Sequence, residues 1–199
     1  YPLEDTQELR RKLSISLEAK VILYVGSEEP RKNIDGLIKV FKELKKSLPN
    51  CKLIKIGRAA WPKAREKLLD LISDLDLKGD VIFKEDVPEG EMRFFYSLAD
   101  VFVTIPIYEG GWANPVIEAM ACACPIIASK PALEEMVSDY GVLVNPYDYA
   151  AIAGSIYEIL TDRSKSASLK EKSIIRSGMF SWEKTVNGIL SAIKDCSSN

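Results

Sequence analysis

The sequence predicts an α/β fold, a Rossmann-like doubly wound parallel sheet of about six strands with a helical C-terminal extension. Two observations carry this expectation. Short, nearly continuous apolar runs rich in β-branched residues recur at 21–25, 53–56, 81–83, 101–105, 125–128 and 142–144. Strands covered on both faces require such runs. Between them, apolar residues repeat at three- and four-residue spacing, the pattern of helices that bury one face. Strands and helices in alternation give parallel strands with helices on both sides of the sheet. Ligands of such sheets bind beyond the carboxyl ends of the strands, near the switch in strand order, so residues just after each strand are the candidate site residues.

Residues 1–17 read as a polar helix, with Glu8, Arg10, Arg11 and Lys12 around Leu9 and Leu13. The composition fits an N-terminal decoration and the tail of a linker equally well. The first strand ends at Gly26 and runs into Ser27-Glu28-Glu29-Pro30-Arg31-Lys32-Asn33. This is not GxGxxG, so a nicotinamide or flavin site loses its main support. Asn33 reads as the cap of a helix whose stripe is Ile34, Leu37, Ile38, Phe41 and Leu44. Arg31 and Lys32 stand just before that helix, where cations oppose the macrodipole. Either Glu28 and Glu29 compensate them, or a bound phosphate does, held with the free amides of the helix start.

The second strand ends at Gly57-Arg58, which puts Arg58 either at the ligand edge or in solvent. Ala64, Leu68, Leu71, Ile72 and Leu75 form the next helical stripe. At its end Asp74-Leu75-Asp76 spells a DxD, but residues two apart on a helix point in different directions, so a solvated helix end is expected rather than a metal site. The fourth strand leads into Tyr108-Glu109-Gly110-Gly111-Trp112-Ala113-Asn114-Pro115-Val116-Ile117-Glu118. Paired glycines allow close backbone approach. Asn114 and Pro115 read as cap and first helical residue, and a glycine loop feeding a helix start suits an anion. Glu118 then falls in the first turn, where it either accepts hydrogen bonds from a diol such as a ribose or merely complements the helix dipole. Beyond residue 147 the pattern is all-helical, with Ile152, Ile156 and Ile159 on one helix and Trp182, Val186, Ile189, Leu190 and Ile193 on the last.

Bulk properties narrow the function. A net charge of −2 gives no global attraction to nucleic acid or anionic membrane, so phosphate recognition must be local. The chain has no histidine, which excludes a Ser-His-Asp triad and the usual zinc hydrolase sites. Cys51, Cys122, Cys124 and Cys196 lack finger-like spacing and read as small buried hydrophobes of a reducing compartment. No apolar run approaches the ~20 residues of a membrane span, and no signal peptide opens the chain, so a cytoplasmic location is expected.

Taken together these residues resemble the C-terminal domain of glycosyltransferase family 4 enzymes, which have the two-domain GT-B fold. The resemblance runs through Tyr24-Val25-Gly26 with Pro30-Arg31-Lys32-Asn33, then Gly57 with Trp61, and Val81-Ile82-Phe83 with Val87-Pro88. It continues through Tyr96-Ser97-Leu98-Ala99-Asp100, Tyr108-Glu109-Gly110 and Asn114-Pro115-Val116-Ile117-Glu118-Ala119-Met120-Ala121-Cys122. It closes with Gly141-Val142-Leu143-Val144-Asn145-Pro146 and Phe180-Ser181-Trp182-Glu183.

The resemblance implies a donor-binding domain of a retaining enzyme of polysaccharide or glycoconjugate biosynthesis, whose substrate is a GDP- or UDP-linked sugar and which needs no cofactor or metal. Lys32 matches the lysine on the diphosphate and Glu118 the glutamate on the ribose. Glu109 and Lys32 are the implied catalytic groups. Gly26, Arg31, Arg58, Val87, Gly110, Gly111 and Asn114 complete the implied donor site, Val87 through its backbone. Residues 1–19 are then a leading helix from an absent N-terminal acceptor domain, 20–199 the donor domain, and the fragment alone is expected to be inactive or nearly so. Membrane association, at the inner face, is expected of the full-length enzyme alone. The Pro-Arg-Lys-Asn and Gly-Arg-x-x-Trp stretches resemble mannosyltransferase-like members and make mannose the expected sugar.

Three departures stand out. Eight residues separate Glu109 from Glu118 where the family has seven, so either the loop bulges to bring Glu109 to the donor or that contact is lost. Ser27 replaces a frequent arginine, a charge that Arg31 would have to supply. Ala123 replaces a glycine, which reads as a packing variation. The alternatives are a sugar-nucleotide epimerase of the same architecture and a catalytically degenerate nucleotide-sugar-binding subunit. A response-regulator-like domain lacks its acidic cluster here.

Overall fold

The structure is a computed structural model, and it describes Leu3, Thr6 and residues 7–109 and 111–197. A short helix, α1 (Gln7–Lys12), precedes β1 (Lys20–Val25). Then α2 (Ile34–Ser47), β2 (Cys51–Ile56), α3 (Pro62–Asp74), β3 (Val81–Lys84), α4 (Glu89–Leu98) and β4 (Val101–Thr104) alternate. The second half holds α5 (Asn114–Ala121), β5 (Ile126–Ser129), α6 (Glu134–Val137), β6 (Val142–Val144), α7 (Tyr149–Thr161), α8 (Arg163–Ser177) and α9 (Trp182–Ser197). All six runs expected as strands are strands. The fourth ends one residue early, at Thr104, and the fifth starts after Pro125, whose missing N–H suits it to a strand edge.

The strands form one parallel sheet in the order β3-β2-β1-β4-β5-β6. This is the doubly wound Rossmann-like arrangement, with its switch point between β1 and β4. Alternation along β1 divides the interior: Ile22 and Tyr24 join α2 and α7 on one face, while Val21 and Leu23 join α4 and α5 on the other. Phe41 and Leu44 of α2 are about 1% exposed, and each such side chain contributes roughly 1.5–3 kcal/mol of burial. α1 is no free tail. Its Leu9 packs against the second core with the following Leu13, and Arg10 Nη1 donates to the carbonyls of Ser16 and Ala19 at 2.8 and 3.0 Å.

Several local expectations are corrected. Asn33 does precede α2, but in a left-handed conformation (φ 56°) with no capping hydrogen bond from its side chain. Its amide instead donates to Ile105 O at 3.2 Å and Pro146 O at 3.1 Å, stapling the β1–α2 loop to the loops after β4 and β6. Gly36 leaves the room, since a Cβ there would collide with the Asn33 amide. Ala123 has φ 56°, so the departure from glycine is one of backbone conformation, not packing. Cys51, Cys122 and Cys124 are buried as expected, whereas Cys196 is exposed. Asp74 and Asp76 are exposed, as the helix-end reading of the DxD requires, and Asp76 is itself left-handed.

α9 is amphipathic, and its apolar side is exposed. Trp182, Val186, Ile189, Leu190 and Ile193 are all exposed, Trp182 at 85%. The described residues contain no helix long and apolar enough to cross a membrane.

Candidate functional site

At the switch point, the carboxyl ends of β1 and β4 open a cleft of about 270 Å³. Its walls come from three segments: Tyr24 to Ser27 with Arg31 and Lys32, Thr104 with Glu109, and Trp112 to Val116 at the start of α5. The loops are tied to each other by main chain, with Ile107 N–H donating to Arg31 O at 2.8 Å. Gly57 lies beside this junction, and its φ of 122° and the nearby Gly26 carbonyl leave no space for a side chain.

The eight-residue spacing does not exclude Glu109 from the cleft. Its carboxylate takes Arg31 Nη1 on Oε1 and Lys32 Nζ on Oε2, both at 2.5 Å, and its side chain is 9% exposed. Burial, the largest influence, pushes this carboxyl up. The hydrogen bonds from Lys32 and Arg31 outweigh it and hold the group below the ordinary range. Arg31 also donates through Nε to Glu29 Oε2 at 2.7 Å, and Ser27 Oγ donates to Glu29 Oε1 at 2.8 Å. The Ser27 bond and then the Arg31 bond hold Glu29 below its usual range. So the position that lacks an arginine carries a serine that steadies the partner of Arg31, and Arg31 brings its guanidinium to the cleft.

Glu28, one of the two carboxylates weighed as compensation for these cations, is engaged elsewhere. It turns inward, where its Oε1 accepts from Lys55 Nζ at 2.7 Å and Arg65 Nε at 2.7 Å, with the Glu28 and Lys55 side chains 0% and 1% exposed. Desolvation lowers the Lys55 pKa despite that pairing. Lys55 also donates to Gly57 O at 2.6 Å, which fixes the floor beside the cleft.

Of the residues expected from sequence, Gly26, Arg31, Lys32, Glu109 and Asn114 line the cleft, whereas Gly111, Arg58, Val87 and Glu118 do not. Gly110 lies outside the described residues. Arg58 projects past β2 with 75% of its side chain exposed and pairs with Asp86 at 2.6 Å. Val87 is half-buried against the second core. Asn114 is the first residue of α5, not its cap. Ala113 holds that position, and Glu118 therefore falls beyond the first turn. Glu118 is held differently, by Tyr96, whose hydroxyl donates to Oε2 at 2.7 Å. Burial and then that bond push the Tyr96 phenol far up, so it stays a donor.

Among the cleft residues that sequence reasoning did not assign to the site are Tyr24, Thr104 and Trp112. Tyr24 donates its hydroxyl to Ser27 O at 3.2 Å beneath the loop, and Thr104 lies at the end of β4. Trp112 lines the cleft, is 51% exposed, and meets Phe180 edge-on at 5.0 Å between centroids. Among the described residues no cluster of acidic or thiol groups could hold a metal ion. What the cleft offers is two cations, the first turn of α5 on the opposite wall, and one carboxylate between the cations. That set suits a ligand with an anionic part and hydroxyl donors.

Comparison with known proteins shows the family. The profile described as Glycosyl transferases group 1 matches residues 5–176. O-antigen chain mannosyltransferase B of Escherichia coli is 31% identical over 174 residues, 86% of this chain and 45% of its own. D-inositol 3-phosphate glycosyltransferase of Acidothermus cellulolyticus is 28% identical over 200 residues, 96% of this chain and 44% of its own. The chain thus spans less than half the length of these curated relatives. Sucrose-phosphate synthase from Thermosynechococcus elongatus superposes with a TM-score of 0.85 at 27% identity, over 100% of this chain and 50% of that one. Anabaena HepE, solved in complex with UDP, superposes with a TM-score of 0.87 at 20% identity, over 98% and 54%.

Proposed function

The chain belongs to the Glycosyl transferases group 1 family, and from that premise we propose that it is the donor-binding half of a retaining glycosyltransferase. The substrate is a nucleoside diphosphate sugar. The observation that carries the reading is the convergence of Arg31 and Lys32 at the switch-point cleft, opposite the start of α5. Cations and free amides that meet in a partly dry cleft stabilise a diphosphate, and most of all one whose charge grows as the sugar leaves. Lys32 and Arg31 take the diphosphate, the main chain at Gly26 and Asn114 approaches it closely, and Glu109 receives sugar hydroxyls. By the resemblance, Glu118, held by Tyr96, takes the ribose and the main chain at Val87 approaches the base, with Arg58 in the wider donor site. UDP in the HepE complex and the mannosyltransferase among the relatives are consistent with either a UDP- or a GDP-linked donor. The resemblance favours mannose.

The acceptor belongs to a preceding domain, for which residues 1–19 are the lead-in. The exposed apolar side of α9 supports this, because five large apolar side chains in water call for a covering surface. Transfer needs donor and acceptor in one closed site, so this chain alone binds nucleotide but transfers little.

Titration with GDP, UDP, ADP and their sugar conjugates, read by calorimetry and thermal shift, tests the reading. A ligand at a hundredfold its Kd stabilises by about 2.7 kcal/mol, several degrees for a chain of this size. One base should shift the melt, and Lys32→Ala and Glu118→Ala should each remove the shift. A melt that no nucleotide moves at millimolar concentration, in this chain and in the full-length protein, removes the donor-site assignment.

A further inference from the structure

The cleft already contains its own anion. Glu109 receives both Arg31 and Lys32, so the two cations proposed to hold a diphosphate are engaged by a carboxylate before the ligand arrives. Glu29 also pairs with Arg31, but through the separate Nε, and it lies at the more exposed rim with its own bond from Ser27. A diphosphate seated on the same N–H groups would leave Glu29 in place and displace Glu109.

We propose that Glu109 determines specificity between the sugar-bearing donor and the free nucleoside diphosphate, by acting as the counter-ion that any incoming diphosphate has to replace. The inference rests on the reading of Lys32 and Arg31 as diphosphate ligands. When Lys32 Nζ and the Arg31 guanidinium turn to the phosphates, Glu109 loses two charge-assisted hydrogen bonds in a site where its side chain is only 9% exposed. It is left beside a second anion, and like charges at short range in poor solvent repel. A sugar on the diphosphate brings hydroxyl donors that replace the lost bonds. A free nucleoside diphosphate brings none, so the loss goes uncompensated. The same exchange acts after transfer. Once the sugar has gone, Glu109 competes again for Lys32 and Arg31 and favours release of the product.

Inorganic pyrophosphate is the direct probe, because it carries neither base nor sugar. Calorimetric titration of the wild type, Glu109→Gln and Glu109→Gln/Lys32→Ala compares the three. Pyrophosphate is expected to bind Glu109→Gln about tenfold more tightly than wild type, the equivalent of one charge-assisted bond no longer to be broken, and affinity should fall back in the double variant, where Arg31 is the one cation of the pair left. The preference for UDP- or GDP-sugar over UDP or GDP should fall by a similar factor in Glu109→Gln. Pyrophosphate binding that is unchanged or weaker in Glu109→Gln overturns the proposal, as does an unchanged preference for the conjugate. Should Glu109→Gln fail to fold, the wild type decides: saturating pyrophosphate is expected to speed amide exchange around Glu109, and unchanged or slowed exchange overturns the proposal. Failure of the donor-site reading itself looks different, since then no nucleotide sugar moves the melt of any variant, whatever pyrophosphate does.

Discussion

Lys32 Nζ lies 2.5 Å from Glu109 Oε2, although 77 residues separate them in the chain. The contact joins the loop after β1 to the loop after β4, where the strand order of the sheet reverses. Replacing Lys32 with Ala should leave the fold intact, because the Lys32 side chain is partly exposed and Arg31 still meets Glu109. Nucleoside diphosphate affinity is expected to fall by about tenfold to a hundredfold, the loss of a charge-assisted bond, with the melting temperature little changed. Calorimetry and a thermal melt on the same sample separate the two effects.

Acid should weaken the fold in part through Glu109 and Asp80. Burial raises both carboxyls, but lysine and arginine bonds to Glu109, and Lys45 and Lys52 bonds to Asp80, leave each below its ordinary value of 4.5 or 3.8. A depressed folded-state pKa contributes stability that is full above the unfolded value and lost as pH falls through the folded one. Urea midpoints are therefore expected to be level above about pH 5 and to decline below it. Asp80→Asn and Glu109→Gln should each flatten that decline. Parallel curves for variants and wild type would exclude both groups as contributors.

Ala123→Gly should stabilise the protein by about 1 kcal/mol, since the left-handed backbone there strains any Cβ more than glycine's extra unfolded freedom offsets. The readout is a rise of a few degrees in melting temperature. Gly57→Ala should do the opposite, with its Cβ driven into the Gly26 carbonyl.

The Glu28–Lys55 pair predicts a non-additive pair of mutations. Glu28→Leu leaves the buried Lys55 ammonium without its carboxylate and should cost about 3–5 kcal/mol, Lys55→Met leaves Glu28 with Arg65 and should cost less, and the double variant should recover most of the Glu28→Leu loss. Arg65 retains Glu85 in each case. Denaturant titration of the four proteins closes the cycle, and simple additivity would contradict the buried-pair account.

The fold was readable because its strands are covered on both faces, so Ile22, Leu23, Ile54 and Phe102 sit in runs with little else in them. The site was readable where chemistry clusters in sequence, as at Arg31 and Lys32. What escaped depended on contacts across the fold. Asn33 is a good cap by composition, but its NH2 group is anchored on two carbonyls 72 and 113 residues away and its backbone is left-handed, so its side-chain oxygen makes no cap bond. Glu28 gave no sign of its partner, although a lysine inside Leu53-Ile54-Lys55-Ile56 was a signal that some carboxylate must follow it inward. Tyr96 escaped because its bond to Glu118 runs between separate helices.

The Asn33 staple has a chemical consequence of its own. Its two N–H groups face two carbonyl oxygens, and an aspartate has the same outline with neither N–H to give. Hydrolysis of that one amide in an ageing sample would turn a clasp between three loops into a charge facing two acceptors. The protein would keep its mass to within one unit and its sheet unbroken, and its cleft would no longer be held to a fixed width.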